Sequence, residues 1–403
     1  MLHLSKTPQA LQEIKTAQVL LQDNIGTITD PVKLLKLISL TYYRNRHFGK
    51  AVYFSKKALK HDYQDPDMHM LLAEAYRNLG ELEKAKNHYQ RAIESDPNRI
   101  QLYYGLAVIL WEQHAYQALS EHTAHILRHN PEDKTASYFR ALSLANLNSD
   151  PQDVIPLLQK QIRIHGPDPN LMFCLGKEYL NIQLPELAEN WLRRTLDLVT
   201  DHKNCMLLLE TVYKKLKLPK KGIGILKTYV SLFPEDIATR KRFVRLLLGE
   251  NKYNEAAREI TKLVTRETGN LKLKRALAFC YQKTERYGEA ILILKEVLKQ
   301  EPESVEDLRV LLFCLDKIGN RKTAILLLES ALKFIKPTPG LMLTLGSLYA
   351  KQKDYEKAAN IFRDVIEMDP QNWKGYYNLG MVYKKSGNTA FAEKFLQRAK
   401  QYR

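Results

Sequence analysis

The sequence is poor in the features that mark disorder, membrane insertion and secretion. Its 403 residues include only 17 Gly and 16 Pro, so long irregular stretches are not expected. No apolar run approaches the roughly 20 residues that a helix needs to cross a bilayer. The first eight residues lack the apolar core and the cleavage site of a signal peptide. We therefore expect a folded protein with no membrane span that stays in the cytoplasm.

Signs of metal chemistry are also few. The cysteines fit no metal-binding spacing such as C-x-x-C, and we expect them to be buried thiols that pack as small hydrophobic groups: Cys174, Cys205, Cys280 and Cys314. His122, His125 and His129 have the spacing i, i+3 and i+7, which could present imidazoles to a metal. No cysteine or well-placed carboxylate completes such a site, and a solvated convex helix face explains these histidines equally well. The sequence predicts no metal site.

Sequence motifs of enzymes are missing as well. There is no P-loop, no G-x-G-x-x-G and no G-x-S-x-G. The repeats described below use every residue past the first 31, which leaves no room for a catalytic domain. We therefore expect a protein that is not an enzyme and that needs no cofactor.

Charge is present in excess and is unevenly spread. The chain carries a net charge of +17. Residues 1–200 contain 23 Lys and Arg against 22 Asp and Glu, whereas residues 201–403 contain 39 against 23. A basic half beside a neutral half indicates an anionic partner for the second half.

A pattern of residues recurs at intervals of 34 through most of the chain. One copy consists of Leu345-Gly346-x-x-Tyr349, Ala358, Phe362 and Pro370. Near the start, the same slots hold Leu72-Ala73-x-x-Tyr76, Ala85, Tyr89 and Pro97. The first three slots lie on one stripe of a first helix, and the small Ala of a second helix lets the two helices approach closely. The Pro ends the second helix and turns the chain into the next pair.

This pattern resembles the tetratricopeptide repeat, whose signature is W-x2-L-G-x2-Y followed by A, F, A and P. We place the repeat starts at Val32, Pro66, Ile100, Lys134, Pro169, Lys203, Ile237, Leu271, Val305, Pro339 and Trp373. The resemblance implies an all-α fold, an α-α superhelical solenoid of about eleven repeats in which each helix pair stacks on the next. We expect a capping helix within residues 1–31, repeats 1–4 in residues 32–168 and repeats 5–11 in residues 169–403, as one continuous solenoid.

Two repeats depart from the pattern. The fourth is 35 residues long and carries Pro156, which we expect to bend its second helix. The sixth has Pro219, Gly222 and Gly224 around the start of its second helix, and we expect this to be the least stable stretch of the array.

The resemblance implies that positions 2, 5, 9 and 12 of each first helix face a concave groove. In repeats three to five these positions are largely apolar or aromatic, and in repeats six to nine they turn basic. The predicted partner-binding residues are Tyr104, Trp111, Tyr138, Phe173, Lys214, Lys241, Arg245, Lys272, Arg275 and Arg309. Core packing of the aromatic side chains and solvation of the basic ones are the alternative interpretations. Glu306 and Asp316 also fall on these positions, so the stripe is not purely cationic.

These features lead us to expect a non-enzymatic scaffold that binds an extended or helical partner segment, with apolar and acidic parts, in the groove. The alternative is nucleic-acid or anionic-surface binding through the basic second half. Few aromatic residues accompany those cations, with Phe279 and Phe313 as the only support for base stacking. The last helix carries Phe391 and Phe395, and self-association through the C-terminal repeat is a further expectation.

Overall fold

The computed structural model describes residues 31–403. The capping helix predicted within residues 1–31 therefore lies outside the described residues. The described part consists of 22 helices and no strands. Within residues 31–403, no helix combines the length and the apolar character that a bilayer span requires.

Contacts group the chain into two compact units, one ending at Leu218 and one beginning at Pro219. The helices of unit 1 are α1 (Pro31–Arg44), α2 (Phe48–Leu59), α3 (Pro66–Asn78), α4 (Leu82–Ser95), α5 (Ile100–Glu112), α6 (Tyr116–His129), α7 (Lys134–Asn146), α8 (Pro151–His165), α9 (Pro169–Asn181), α10 (Pro185–Leu198) and α11 (Lys203–Lys215). Those of unit 2 are α12 (Pro219–Leu232), α13 (Ile237–Gly249), α14 (Tyr253–Arg266), α15 (Leu271–Lys283), α16 (Tyr287–Gln300), α17 (Val305–Lys317), α18 (Arg321–Ala331), α19 (Pro339–Lys351), α20 (Tyr355–Met368), α21 (Trp373–Lys385) and α22 (Thr389–Gln401). The predicted division between residues 168 and 169 stays a prediction.

The helices follow the predicted repeats. Every first helix from Pro66 to Trp373 begins at the predicted repeat start, and the first begins at Pro31, one residue before Val32. The sequence pattern sets these starts because each repeat supplies its own helix signals. The predicted all-α solenoid fold is confirmed.

At every repeat boundary of the described chain except at Arg99, the side chain at the last position of one repeat caps the first helix of the next. Asp65 Oδ1, for example, accepts hydrogen bonds from the backbone N–H groups of Asp67 and Met68 at 2.9 and 3.2 Å. The residues that cap first helices in this way are Asp65, Asp133, Asp168, His202, Asp236, Asn270, Ser304, Thr338 and Asn372. Each such cap contributes about 1 kcal/mol to helix stability.

Each turn between a first and a second helix contains one residue with a positive φ angle. Only three of these eleven positions hold glycine, namely Gly80, Gly319 and Gly387. The others hold Arg46, His114, Asn148, Gln183, Lys217, Asn251, Glu285 and Lys353. The left-handed conformation costs a residue with a Cβ atom about 1–2 kcal/mol, so most of these turns are strained.

The fourth repeat absorbs its extra residue at its second helix. Helix α8 has 15 residues and continues through Pro156, which lacks the N–H that would bond to the carbonyl of Gln152. It ends at His165 and is followed by Gly166, whose φ of 81° and ψ of −167° suit only glycine. The 35-residue interval therefore ends at a turn that needs glycine.

The predicted repeat slots form the core of each unit. In unit 2, Leu345, Tyr349, Ala358 and Phe362 are buried together. The ring of Phe362 packs so closely on Gly346 that a Cβ atom there would lie 2.6 Å from Cε1. The cysteines are buried as predicted, and burial raises the pKa of Cys174 and Cys205 to about 12 and that of Cys280 and Cys314 to about 11.

Candidate functional site

In unit 1, aromatic side chains at position 5 reach the capping residue of the next repeat. The hydroxyl of Tyr104 donates to Asp133 Oδ2 at 2.5 Å, and that of Tyr138 donates to Asp168 Oδ1 at 3.3 Å. Burial, together with the neighbouring carboxylate, raises the pKa of Tyr104 to about 12. Both rings are half-buried. These tyrosines therefore join successive repeats while leaving part of each ring accessible.

Phe173 and Trp111 continue the aromatic stripe of unit 1. The Phe173 ring lies 4.9 Å from the ring of His202, which caps the next first helix. Trp111 packs against Tyr116 with a ring distance of 5.6 Å. Both predicted residues are half-buried. The core-packing interpretation thus holds for part of each side chain, and the exposed part forms a discontinuous apolar surface along the first helices of this unit.

Two of the predicted basic residues are neutralised inside unit 2. Lys241 Nζ lies 2.7 Å from Glu267 Oε1, directly after the second helix of the same repeat. Arg275 contacts both Asp307 and Glu301. These two side chains could contact a partner only by sharing or breaking these ion pairs. Their partners come from neighbouring elements and could not be paired with them from the first-helix pattern alone.

The other basic residues of the stripe are free of such contacts. Arg245, Lys272 and Arg309 lie on α13, α15 and α17, are exposed, and form no ion pair with any described residue of unit 2. Lys214, on α11 of unit 1, is exposed in the same way. Arg245, Lys272 and Arg309 occupy positions 9, 2 and 5 of three successive first helices. Three positive charges on successive first helices are therefore available to contact a partner.

Two phenylalanine side chains lie exposed among these cations. Phe279 and Phe313 occupy position 9 of α15 and α17, with 41% and 43% of their surface accessible. Each packs edge-on against a tyrosine at the start of a second helix, with ring distances of 5.7 Å to Tyr253 and 6.2 Å to Tyr287. The sequence shows that both residues occupy position 9 of consecutive repeats. It does not show how much of a side chain at position 9 is exposed. We call Arg245, Lys272, Arg309, Phe279 and Phe313 the basic stripe.

Lysine side chains cover part of both phenylalanine rings. Lys283 Nζ lies 5.4 Å from the Phe279 ring centre, and Lys317 Nζ lies 5.5 Å from that of Phe313. Ammonium groups over aromatic faces are held by about 0.5–1 kcal/mol at exposed sites. Two further cations therefore lie beside the basic stripe.

Two acidic residues at the predicted groove positions, Asp316 and Glu306, differ in their surroundings. Asp316 is held by Arg321 Nε at 2.9 Å and by Lys351 of the next first helix. Glu306 is exposed and has no ion pair within the described chain. One uncompensated carboxylate therefore remains near the cations.

The histidines of the third repeat pack around one tyrosine. The rings of His122 and His125 stack on Tyr103 at 5.7 and 6.2 Å, and His122 Nε2 lies 2.9 Å from the carbonyl of Tyr103. His129 lies edge-on to His125 at 4.9 Å. Among residues 31–403, no three His, Cys, Asp or Glu side chains converge as a metal would require. These histidines take part in aromatic packing.

The aromatic residues of the last helix pack on its neighbour within the same repeat. Phe395 stacks with Tyr376 and Tyr383 at 6.4 and 5.7 Å, and Phe391 lies 5.5 Å from Tyr383. Phe391 is still exposed. Self-association through this repeat stays a prediction.

Comparisons with known proteins agree with this architecture. The family described as "TPR repeat" matches residues 73–113, and the family described as "Tetratricopeptide repeat" matches residues 247–312 and 349–403. The human protein O-mannosyl-transferase TMTC3 is 27% identical over an alignment of 176 residues that covers 41% of this chain. That match spans 19% of the human protein, so this chain corresponds to about a fifth of its length.

Solved structures show similar repeats at low sequence identity. YrrB, described as a TPR protein with an unusual peptide-binding site, is 15% identical, with 48% of this chain and 98% of that chain covered and a TM-score of 0.40. Yeast Tom70 is 12% identical, with 92% of each chain covered and a TM-score of 0.34. PilF of Pseudomonas aeruginosa is 16% identical, with 52% and 95% covered and a TM-score of 0.43.

The matched segments fall in both units, and the helix starts follow the repeat register over the whole described chain. Repeats of this kind form scaffolds for protein–protein interaction. This chain belongs to the tetratricopeptide-repeat proteins.

Proposed function

We propose that the chain is a non-enzymatic scaffold in the cytoplasm that needs no cofactor and holds an acidic, partly apolar protein segment against the first helices of unit 2. The segment would lie in the concave groove that the family resemblance implies. One observation carries the proposal: two exposed phenylalanine rings, Phe279 and Phe313, share successive first helices with unpaired cations.

The chemistry of the basic stripe selects the partner. Exposed aromatic rings gain free energy by burying apolar side chains, at about 25 cal/mol per Å² of buried apolar surface. Arginine side chains bind carboxylates through two parallel hydrogen bonds, and Arg245 and Arg309 lie on either side of Lys272 in the repeat order. A segment in which acidic residues alternate with bulky apolar residues satisfies both requirements.

Unit 1 offers a surface of another kind. Its half-buried Tyr104, Trp111, Tyr138 and Phe173 present apolar surface with little charge among them. In this proposal they take an apolar part of a partner, while Lys214 is the one predicted contact of this unit with an acidic group. The aromatic residues would contribute through their exposed edges, since their other edges hold the repeats together.

Nucleic-acid binding is the second candidate, because aromatic rings and cations together also suit single strands. Two observations favour the protein segment. Lys283 and Lys317 already cover a face of each phenylalanine ring, where a base would have to stack. The unpaired carboxylate of Glu306 would repel a continuous phosphate backbone more than it would a peptide, whose charges are spaced by neutral residues.

The test compares two probes of equal negative charge on the same protein. A fluorescent peptide that alternates Glu with Phe or Leu and a fluorescent single-stranded RNA are titrated with the full chain in moderate salt. The test variant reverses Arg245, Lys272 and Arg309 to Glu. The control variant reverses Lys227, Lys295 and Lys322, which are exposed on second helices of the same unit and give the same change in net charge.

We expect peptide binding to weaken by about tenfold or more in the test variant, because each lost contact is worth about 0.5–1 kcal/mol. The control variant should bind within about twofold of the natural chain, since long-range attraction is screened by salt. Equal losses in both variants would mean that only net charge matters. Tighter binding of RNA than of peptide would favour the second candidate instead.

A further inference from the structure

The second helix of the ninth repeat ends early. Helix α18 has 11 residues, whereas α16 and α20, the second helices before and after it, have 14 each. It ends at Ala331, and residues 332–335 form turns instead of a last helical turn. Pro337 disfavours the helical conformation at Lys336, and Pro339 opens the next helix. The early end changes the surface of this repeat on the side of its second helices.

The shortened helix leaves an apolar cleft within unit 2. The cleft has a volume of about 860 Å³, which is large enough for several side chains. It opens between the end of α16, the turn before α17 and the end of α18. Its apolar lining consists of Leu298, Pro302, Leu308, Leu327, Ala331 and Ile335. No described residue of the chain fills this space.

A phenylalanine projects at the mouth of the same cleft. Phe334 is 83% exposed, the highest value among the large apolar side chains of the described chain. Leu326 on α18 is 67% exposed, and Leu292 occupies the same slot of α16 with 65% exposed. An exposed aromatic ring at the mouth of an apolar cleft, on a repeat pair with further exposed leucines, marks an interaction surface. The surface therefore offers both an apolar side chain that projects, Phe334, and a cleft that could receive such a side chain.

The charges around the cleft are also of two kinds. Lys333 and Lys336 flank Phe334, are exposed, and have no ion pair among the described residues. Glu303 lines the cleft, is exposed, and is likewise unpaired in the described chain. The neighbouring Glu301 differs because it already binds Arg275. The surface thus carries a basic projection beside an apolar cleft that has one unpaired carboxylate in its lining.

We propose that the occupant of the cleft is a second copy of this chain, paired through a two-fold axis. In such a contact Phe334 of each copy enters the cleft of the other, and Lys333 and Lys336 of each copy meet Glu303 of the other. Self-complementary surfaces of this type form closed dimers, because each patch contacts its own equivalent. The contact uses the α16–α18 side of unit 2 and none of the residues of the basic stripe, so it is independent of the proposed function.

The first test is the mass of the full chain by sedimentation over a roughly hundredfold range of concentration. We expect a monomer–dimer equilibrium. Phe334→Glu should weaken the dimer by about 30-fold or more, as loss of a central interface residue does. Leu37→Glu, at an exposed apolar position of α1 in unit 1, is the control and should change nothing. A natural chain that stays monomeric throughout, or a Phe334→Glu chain that dimerises normally, overturns the proposal.

The second test separates contacts between copies from contacts within one copy. Glu303→Lys alone, and Lys333→Glu with Lys336→Glu in another chain, should each weaken self-association. A mixture of these two variants should form a mixed dimer, because opposite charges then meet on both sides of the axis. Salt should weaken this mixed dimer. If mixing restores no dimer, the paired charges do not face each other across an interface, and the two-fold arrangement is wrong.

Discussion

The guanidinium of Arg275 is hydrogen-bonded to the carboxylate of Asp307 in the next first helix. Its Nε donates to Oδ1 and Oδ2 at 3.0 and 2.8 Å, and Asp307 also accepts from the hydroxyl of Ser304 at 2.6 Å. The Asp307 side chain is almost completely buried. Position 5 of a first helix therefore has a structural use here: it neutralises a buried acid at the start of the following repeat.

The first prediction contrasts two arginines in the same slot. Arg275→Gln should lower the free energy of unfolding by about 2 kcal/mol, because it leaves the buried Asp307 carboxylate without its cation. Arg309→Gln, one repeat later, should leave stability nearly unchanged, since this exposed side chain has no partner in the described chain. Urea unfolding followed by circular dichroism measures both. Equal stability of the two variants would contradict the assignment of separate roles.

The same pair gives a pH dependence. Burial alone would raise the pKa of Asp307, but the hydrogen bonds from Arg275 and Ser304 outweigh it and lower that pKa. A carboxyl whose pKa is lowered on folding stabilises the native state above its unfolded pKa of about 3.9 and loses this contribution as the pH falls further. Arg275→Gln should therefore lose less stability on acidification below that pH than the natural chain does.

The second prediction concerns a histidine pair in the second repeat. Nδ1 of His69 and Nδ1 of His88 lie 2.9 Å apart, and His69 Nε2 lies 3.0 Å from the carbonyl of Tyr63. If His69 donates to that carbonyl, its Nδ1 is the acceptor and His88 Nδ1 is the donor. Protonation of His69 would break this bond. Burial, and then the charge of His69, lowers the pKa of His88 to about 4.

Because both pKa values are lowered on folding, the unfolded chain binds more protons than the native chain between pH about 6.5 and about 4. The free energy of unfolding should therefore decrease as the pH is lowered through this range, by at most about 1.4 kcal/mol per pH unit for each histidine. His88→Gln should flatten the fall, whereas His61→Gln, at an exposed position, should not. An unchanged pH profile in His88→Gln, measured by thermal unfolding, would show that the pair does not titrate as described.

The fold could be predicted because its signals are local and repeated. Leu, Gly or Ala, and Tyr at fixed spacing mark the buried stripe of most first helices, and the residue before most first helices supplies the cap. The left-handed turn residues were missed, because Lys217 and Glu285 have no intrinsic preference for that conformation and adopt it under the constraint of the hairpin. The early end of α18 was missed because the repeat pattern itself continues through it.

The third prediction follows from those turns. Glu285 has a φ of 59°, and Glu285→Gly should stabilise unit 2 by about 0.5–1 kcal/mol, because glycine adopts this conformation without strain. Asn251→Gly should gain less, since asparagine tolerates a φ of 56° better than glutamate does. Glu285→Ala is the control and should gain nothing. A urea midpoint that is lower for Glu285→Gly than for Asn251→Gly or Glu285→Ala would show that residue 285 is not strained.

The fourth prediction places the weakest helix start. Lys217 has a strained φ of 55°, and Gly222 and Gly224 lie in the first two turns of α12. Amide hydrogen exchange should therefore be faster in residues 217–224 than in the corresponding stretches of the other repeats. Gly224→Ala should slow it, because open space surrounds the missing Cβ atom and alanine favours the helix by about 0.5–1 kcal/mol. Uniform exchange across the repeats would mean that packing outweighs the local sequence.

The candidate site was less predictable than the fold. Periodicity places Lys241, Arg245, Arg275 and Arg309 on one helix stripe, but it gives no partners for them. Pairing with Glu267 or Asp307 depends on side chains 26 and 32 residues away and on how consecutive repeats pack. Only the structure separates the cations that hold the scaffold together from those that remain available.

The most direct test of the central claim places a photo-crosslinking phenylalanine analogue at Phe313. On irradiation with the acidic, apolar peptide, this position and Phe279 should capture the peptide. The same analogue at Leu292 or Leu326, which are more exposed and lie on the second helices, should not. Raised salt should reduce capture at Phe313. Capture from the second helices but not from Phe279 or Phe313 would contradict the account and place any bound segment elsewhere on unit 2.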